Sequence, residues 1–481
     1  MERHQDTLYL RIADQLAGSI RAGTLARGER IASVRELARQ QGVSMATVVQ
    51  AYRTLEDARL IEARPRSGYF VAGRSAARRL AEPDTTPLPP QSKAVAVCTL
   101  GQRVLAAAVD PSYISFGAAA PSEDLFPQER IRRALTRALQ RNRATLCRYP
   151  LRTSSAELRR AIARQALTMG CQLDQNDIVI TNGCMEAMTL CLRAVTQPGD
   201  IVALESPTYF GLLELLQSLE LRALEIPTHP RQGLSVDALT LALDTQPIKA
   251  VLVVPTLSNP LGASMPLAER RRLAQLVAQR GVPLVEDVLY NPLCEHDEQR
   301  RAVRSFDPTG HVMVCGSFSK TVGPGLRLGF ADAGRWSQRV QQLRAVQSGS
   351  HTEFLEAAMA DLLTQPGTES AFRQLRTLFA ARVDEARGLI AESFPKGTRV
   401  TDPPGGFILW VELPAGSDAM ALFEACQAER ICIAPGPMFS TTGRYGHCLR
   451  LGVGGRWDDT QRQALRRIGE LAHRVLPAAA S

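Results

Sequence analysis

Apolar positions in the first seventy residues repeat with helical spacing and then alternate. Leu8, Ile12, Leu16 and Ile20 recur every four residues, which is one face of a helix. A second helix is expected from Ser33, a good N-cap with Glu36 three residues on in a capping-box pattern, through Val34, Leu37 and Ala38 to Gly42. A third is expected from Ser44 through Val48, Val49, Ala51, Tyr52 and Leu55. Leu60 to Val71 reads as two short strands around a basic turn, Arg64-Pro65-Arg66. Two short helices joined at a glycine and followed by such a hairpin predict a winged helix-turn-helix. Beyond about residue 113 the pattern changes. Asp177–Thr181, Ile201–Leu204, Lys249–Val254, Pro283–Glu286 and Val312–Cys315 read as buried strands, with helical patterns at 184–195, 208–219 and 266–280 between them. This alternation predicts an α/β domain with a mainly parallel sheet, whose chemistry lies at the carboxyl ends of its strands. Between the two patterns, Pro83, Pro87, Pro89 and Pro90 crowd a stretch poor in large apolar residues. A linker is therefore expected over 75–110, separating a domain at 1–74 from one at 111–481. Val95, Val97, Leu100, Val104 and Leu105 within it could form a helix docking on the second domain.

Composition adds location and partner. No apolar run reaches membrane-span length, and the polar N-terminus does not lead into a signal peptide. The ten cysteines are scattered without a CxxC pair, as in a chain with reduced thiols, so a cytoplasmic protein without a metal site is expected. The net charge is +9, and residues 1–79 hold fourteen arginines against eight carboxylates. Such asymmetry suggests that this end meets a polyanion, and with the turn and the wing it points to double-stranded DNA. The third helix would present Ser44, Met45, Ala46, Thr47, Gln50 and Arg53 to base edges, and the wing Arg64 and Arg66 to phosphates or a minor groove.

Candidate chemistry centres on Gly316-Ser317-Phe318-Ser319-Lys320-Thr321-Val322-Gly323-Pro324-Gly325-Leu326-Arg327. Lysine occurs only at 93, 249, 320 and 396, so Lys320 is not generic surface charge. A deprotonated lysine forms a Schiff base with an aldehyde, and the flanking hydroxyls and glycines suit a phosphate. An aldehyde beside a phosphate describes pyridoxal 5′-phosphate (PLP). The other strand ends supply what that cofactor needs. Gly183, Cys184 and Met185 open a helix whose N–H groups meet an anion. Tyr209 could stack on a flat ring. Asn259 and Tyr290 suit the ring oxygen, and Asp287 suits the ring nitrogen. Ser317, Ser319 and Arg327 suit the phosphate, and Arg450, on a short apolar strand pattern, suits a substrate carboxylate.

Two resemblances join here. Ile31 to Ala38, Gly42-Val43-Ser44, Thr47-Val48, Ala51-Tyr52, Leu55 and Ser67 to Val71 resemble the winged helix-turn-helix of GntR-type bacterial regulators over residues 7–72. Arg35 and Gly68, inside these motifs, join the DNA-facing set. Three positions depart from that pattern: Ala32 stands where proline is common, Arg59 where glycine is common, and Met45 replaces an arginine that usually contacts DNA. Lys320 with Arg327, Asn259-Pro260-x-Gly262, Asp287-x-x-Tyr290 and Arg450 resemble the fold-type I aminotransferases over about 113–475. Here the departures are Met185 for a polar residue, Ser154 for a glycine, and Ala118-Ala119-Ala120 where a glycine often lines the cleft. Together the chain resembles the MocR-type regulators. That implies a homodimer, Tyr149 reaching the partner's phosphate, a large subdomain near 120–345 and a small one near 346–481. It also implies a PLP-dependent transcription factor that senses an amino acid, an amine or PLP itself through an aldimine at Lys320. A working aminotransferase with a DNA-binding appendage is the alternative; a cofactor-free dimerisation scaffold is the third reading.

Overall fold

The computed structural model describes residues 2–21, 25, 29–57, 60–64, 68–71, 80–85, 91–95, 99–141, 143–147 and 155–476. The chain divides between Arg79 and Leu80 into two compact units.

The first unit contains α1 (Glu2–Arg21), α2 (Val34–Gln41), α3 (Met45–Asp57), β1 (Ile61–Arg64) and β2 (Gly68–Val71). The Ser33 hydroxyl accepts the Glu36 N–H at the start of α2, and Gly42 ends that helix in the left-handed region at φ 65°. The two strands pair antiparallel, Ile61 opposite Val71. Ile12, Ala13, Ala17, Leu37, Val48, Tyr52, Leu55, Ile61 and Val71 make one small core. The Tyr52 hydroxyl donates to the Ala32 carbonyl at 2.6 Å, and its ring meets that of Tyr69 at 4.7 Å. Wing and helices are thereby tied across the core.

The second unit is built on β3 (Lys93–Ala94), β4 (Ile114–Ser115), β5 (Ile178–Thr181), β6 (Ile201–Ser206), β7 (Arg222–His229), β8 (Gly233–Leu234), β9 (Ile248–Val253), β10 (Leu284–Asp287), β11 (Val312–Ser317) and β12 (Gly329–Asp332). The central sheet runs β3-β7-β6-β9-β10-β11-β12-β5, with β8 beside β7. From β7 to β11 all pairs are parallel; β12 is antiparallel to both its neighbours, and β3 to β7. Alternate residues pack on opposite faces, as the pleat requires. Val202, Leu204, Leu252 and Val285 meet the helix Cys184–Val195 on one side. Ala203, Val251, Val253 and Leu284 meet the helix Leu267–Arg280 on the other. A second sheet follows, with β13 (Arg399–Val400), β14 (Ile408–Glu412), β16 (Ala434–Pro435) and β17 (Cys448–Gly452), while β15 (Ile431–Cys432) pairs in parallel with β4.

Two expected boundaries move. From Leu80 onward the expected linker is part of the second unit. β3 joins the central sheet, Val104 on the helix Thr99–Val109 is fully buried, and the Val400 N–H donates to the Ala81 carbonyl at 2.9 Å. Glu82 and Asp84 pair with Arg231 and Arg399. The helix Glu353–Thr364, expected in the small subdomain, packs through Ala358 and Met359 on Ala134, Ala138 and Leu158 of the large one. Among the described residues no helix is long and apolar enough to cross a membrane, and no cluster of His, Cys, Asp or Glu could hold a metal.

Candidate functional site

Two neighbouring strand ends deliver the central groups. Asp287 is the last residue of β10, in register with Cys315 of β11. Lys320 follows β11 in a loop closed by the Val322 and Gly323 N–H groups on the Phe318 carbonyl, at 2.9 and 3.1 Å. Lys320 Nζ donates to the Ala119 carbonyl at 2.6 Å. Burial, helped by the nearby Arg450 charge and opposed by Asp287, lowers the Lys320 pKa to about 8. Burial pushes Asp287 the other way, up to about 6, against the N–H of Leu289 (2.9 Å) and the thiol of Cys184 (3.2 Å), both on Oδ1. This thiol contact was not expected: Cys184 was singled out for its backbone N–H, and side-chain reach across 103 positions leaves no local trace.

Arg450 stands on β17 opposite Trp410 and is 1% exposed. Its Nη1 donates to Asn259 Oδ1 at 3.0 Å and its Nη2 to the Gly117 carbonyl; Nε has no partner among the described residues, and the guanidinium lies 5.3 Å from the Phe439 ring centre. Tyr290 is bonded through its hydroxyl to Asn259, and burial raises its phenol pKa. Tyr209 precedes the helix Phe210–Ser218; its ring stands edge-on to Phe210 at 4.8 Å and senses the charges of Arg450 and Asp287.

The anion cup forms at the helix Cys184–Val195. Gly183 stands at its N-cap with φ 85° and no side-chain cap, leaving first-turn N–H groups to a ligand. A Cβ on Gly183 would fall 2.9 Å from Arg327 Nη2, so the arginine lies where only glycine leaves space. Ser317 Oγ and Ser319 Oγ are 3.3 Å apart on the neighbouring loop. Met185 is half-buried beside the cup, and Glu186 accepts the Asn182 N–H. The buried Thr208 and Ser258 hydroxyls have no partner among the described residues. Sequence reasoning passed over both, along with Phe439 and the carbonyls of Gly117 and Ala119.

This set fits pyridoxal phosphate. It contains a buried amine of lowered pKa, a buried carboxylate, a phenol–amide pair and a cationic cup at a helix start. Tyr149 lies outside the described residues.

On the first unit, Arg35, Ser44, Met45, Gln50 and Arg53 are exposed. Thr47 is not: it is buried, its hydroxyl is 2.8 Å from Ser44 Oγ, and its N–H donates to that oxygen at 3.1 Å. The expected base contact from Thr47 is thus replaced by an N-cap of α3. Gly68 has φ 101° and lies against the Arg30 guanidinium. Arg64 contributes its backbone to the wing opposite Gly68; its side chain, and all of Arg66, lie outside the described residues.

Residues 8–71 match the bacterial regulatory proteins of the GntR family, and residues 111–468 match aminotransferase class I and II. The uncharacterized HTH-type transcriptional regulator YjiR of Escherichia coli is 36% identical over 98% of this chain and 100% of its own length. The probable rhizopine catabolism regulatory protein MocR of Rhizobium meliloti is 25% identical over 90% of this chain and 88% of its own. Among solved structures, the α-aminoadipate aminotransferase LysN of Thermus thermophilus, complexed with N-(5′-phosphopyridoxyl)-L-leucine, superposes with a TM-score of 0.70. It is 27% identical, over 79% of this chain and 95% of that one. The second unit is therefore a fold-type I domain with pyridoxal 5′-phosphate as its cofactor. Joined to the winged head at its N-terminus, it places the chain in the GntR family of transcriptional regulators, in the MocR-type group that carries an aminotransferase-like domain.

Proposed function

We propose that this regulator senses an amino acid, an amine or PLP itself at Lys320 and answers through its DNA-binding head, as a homodimer in which Tyr149 reaches the partner's phosphate site. The observation that carries this reading is the pairing of Lys320 and Arg450 with one backbone segment. Lys320 holds the carbonyl of Ala119, and Arg450 that of Gly117.

Bound PLP supplies an aldehyde that condenses with primary amines and a ring that withdraws electrons. Lys320 would hold its aldehyde carbon, Asp287 would face its ring nitrogen, and Asn259 and Tyr290 would face its ring oxygen. Gly183, Cys184 and Met185 offer N–H groups to the phosphate, with Ser317, Ser319 and Arg327 beside them. With PLP bound, Lys320 would leave the Ala119 carbonyl; an amino acid would then replace the Lys320 amine at the aldehyde carbon, freeing that amine, and would draw Arg450 with its carboxylate, so that both side chains leave the 117–119 segment. That segment continues β4, which pairs with β15, and the Phe116 N–H donates to the Cys432 carbonyl at 2.8 Å. Releasing it at two points changes how the two subdomains are tied, and a ligand that prefers one arrangement shifts the population.

An aminotransferase with a DNA-binding appendage is not favoured, because two relatives that match 96% or more of this chain are named uncharacterized HTH-type transcriptional regulators. The test is the absorbance spectrum of the purified protein with added PLP, for wild type and Lys320→Ala, before and after a panel of amino acids. The expected result is a near-visible band that the variant lacks and that some amino acids perturb once, without sustained turnover of a 2-oxo acid. No band in wild type after reconstitution overturns the sensor; steady turnover replaces it with the enzyme.

A further inference from the structure

One large apolar side chain stands outside the core on the helix after the turn. Met45, the first residue of α3, is 54% exposed, between exposed Ser44 and Ala46. A lone surface methionine calls for no explanation, but this one has a particular place. The first turn of α3 carries no acidic residue, and a helix-turn-helix sets that turn against base edges in the major groove. The nearest hydroxyls are already engaged: Ser44 Oγ caps the Thr47 N–H and meets Thr47 Oγ1, and Thr47 is buried. The leading edge of the helix is therefore apolar, made of Met45 and Ala46. Gln50 and Arg53 follow Ala46 at spacings of four and three on the exposed face.

In the major groove the apolar feature of a base edge is the thymine 5-methyl group. A thioether side chain is flexible enough to cover it. Resting on the DNA-binding reading of the head, we infer that Met45 sets a thymine preference in the DNA site by contact with that methyl.

The test is selection of random duplexes by the full-length protein, as wild type, Met45→Ala and Met45→Arg. One position selects dT with wild type and loses its preference with Met45→Ala. It becomes dG with Met45→Arg, because a guanidinium bonds guanine O6 and N7 together. The other positions stay as they are. Replacing the selected dT by dU weakens wild-type binding roughly 4-fold, the effect of one buried methyl, and leaves Met45→Ala binding unchanged. The same selected site for all three proteins, or equal binding of dT and dU by wild type, overturns the inference while DNA recognition stands. No selected site for any of the three overturns both.

Discussion

Lys320 and Cys184 show how far a single residue is defined by its surroundings. A lysine at about 8 carries much more free amine at neutral pH than one near 10.5. Free amine is the nucleophile, so incorporation of PLP into the cofactor-free protein should quicken as pH rises, with a midpoint about 8. Stopped-flow absorbance across pH 6–10.5 checks this, and a rate still climbing steeply past pH 10 would show an unshifted amine. The Cys184 thiol and the Leu289 N–H converge on one oxygen of Asp287, which favours its ionised form. Cys184→Ala should therefore raise the Asp287 pKa further and weaken PLP retention at pH 6–7 by roughly 5-fold, the effect of one modest hydrogen bond. Cys184→Ser should restore it. Equal PLP dissociation constants for all three would leave the thiol as packing alone.

At the scale of elements, the cofactor site is a set of strand ends and one helix start. The five strands that read as apolar runs all form, within two residues of their expected ends. β12 was missed because Phe330, between Gly329 and Ala331, is its one large apolar side chain and makes no run. β7 was missed because Glu225 and Thr228 interrupt its apolar run; both are buried and bonded, Glu225 to Ser206, Ser440 and Thr441. The helix start depends on Gly183, whose φ of 85° and ψ of 178° lie in a region that other residues enter at a cost of about 1–3 kcal/mol. Gly183→Ala also displaces Arg327, so it should lower PLP affinity tenfold or more and lower the thermal midpoint. Gly325→Ala, with open space around it, should change neither. Fluorescence titration and thermal melts of the two variants decide this.

For the whole molecule, the consequential boundary is the one at Leu80. A chain beginning at Leu80 keeps β3, the helix Thr99–Val109 and the Glu82 and Asp84 pairs, so it should fold, bind PLP and lose specific DNA binding. A chain beginning at Pro111, where the aminotransferase match starts, lacks Val104 and the other residues of that helix packed in the core. It should melt well below the longer fragment or fail to accumulate. Equal stability of the two would show residues 80–110 to be dispensable.

Sequence alone determined what short-range physics controls. Capping and helical spacing outlined the head, apolar runs the strands, and side-chain chemistry at strand ends the lysine, carboxylate and arginines. Tertiary structure decided which of those groups meet. Arg450 reaches Asn259 and Gly117, Lys320 reaches Ala119, and Cys184 reaches Asp287 only because a folded sheet and its second subdomain bring distant positions together. It also withdrew Thr47 into a cap and drew Val104 and Ala107 of the helix Thr99–Val109 into the core, since burial depends on what packs nearby and composition does not carry that.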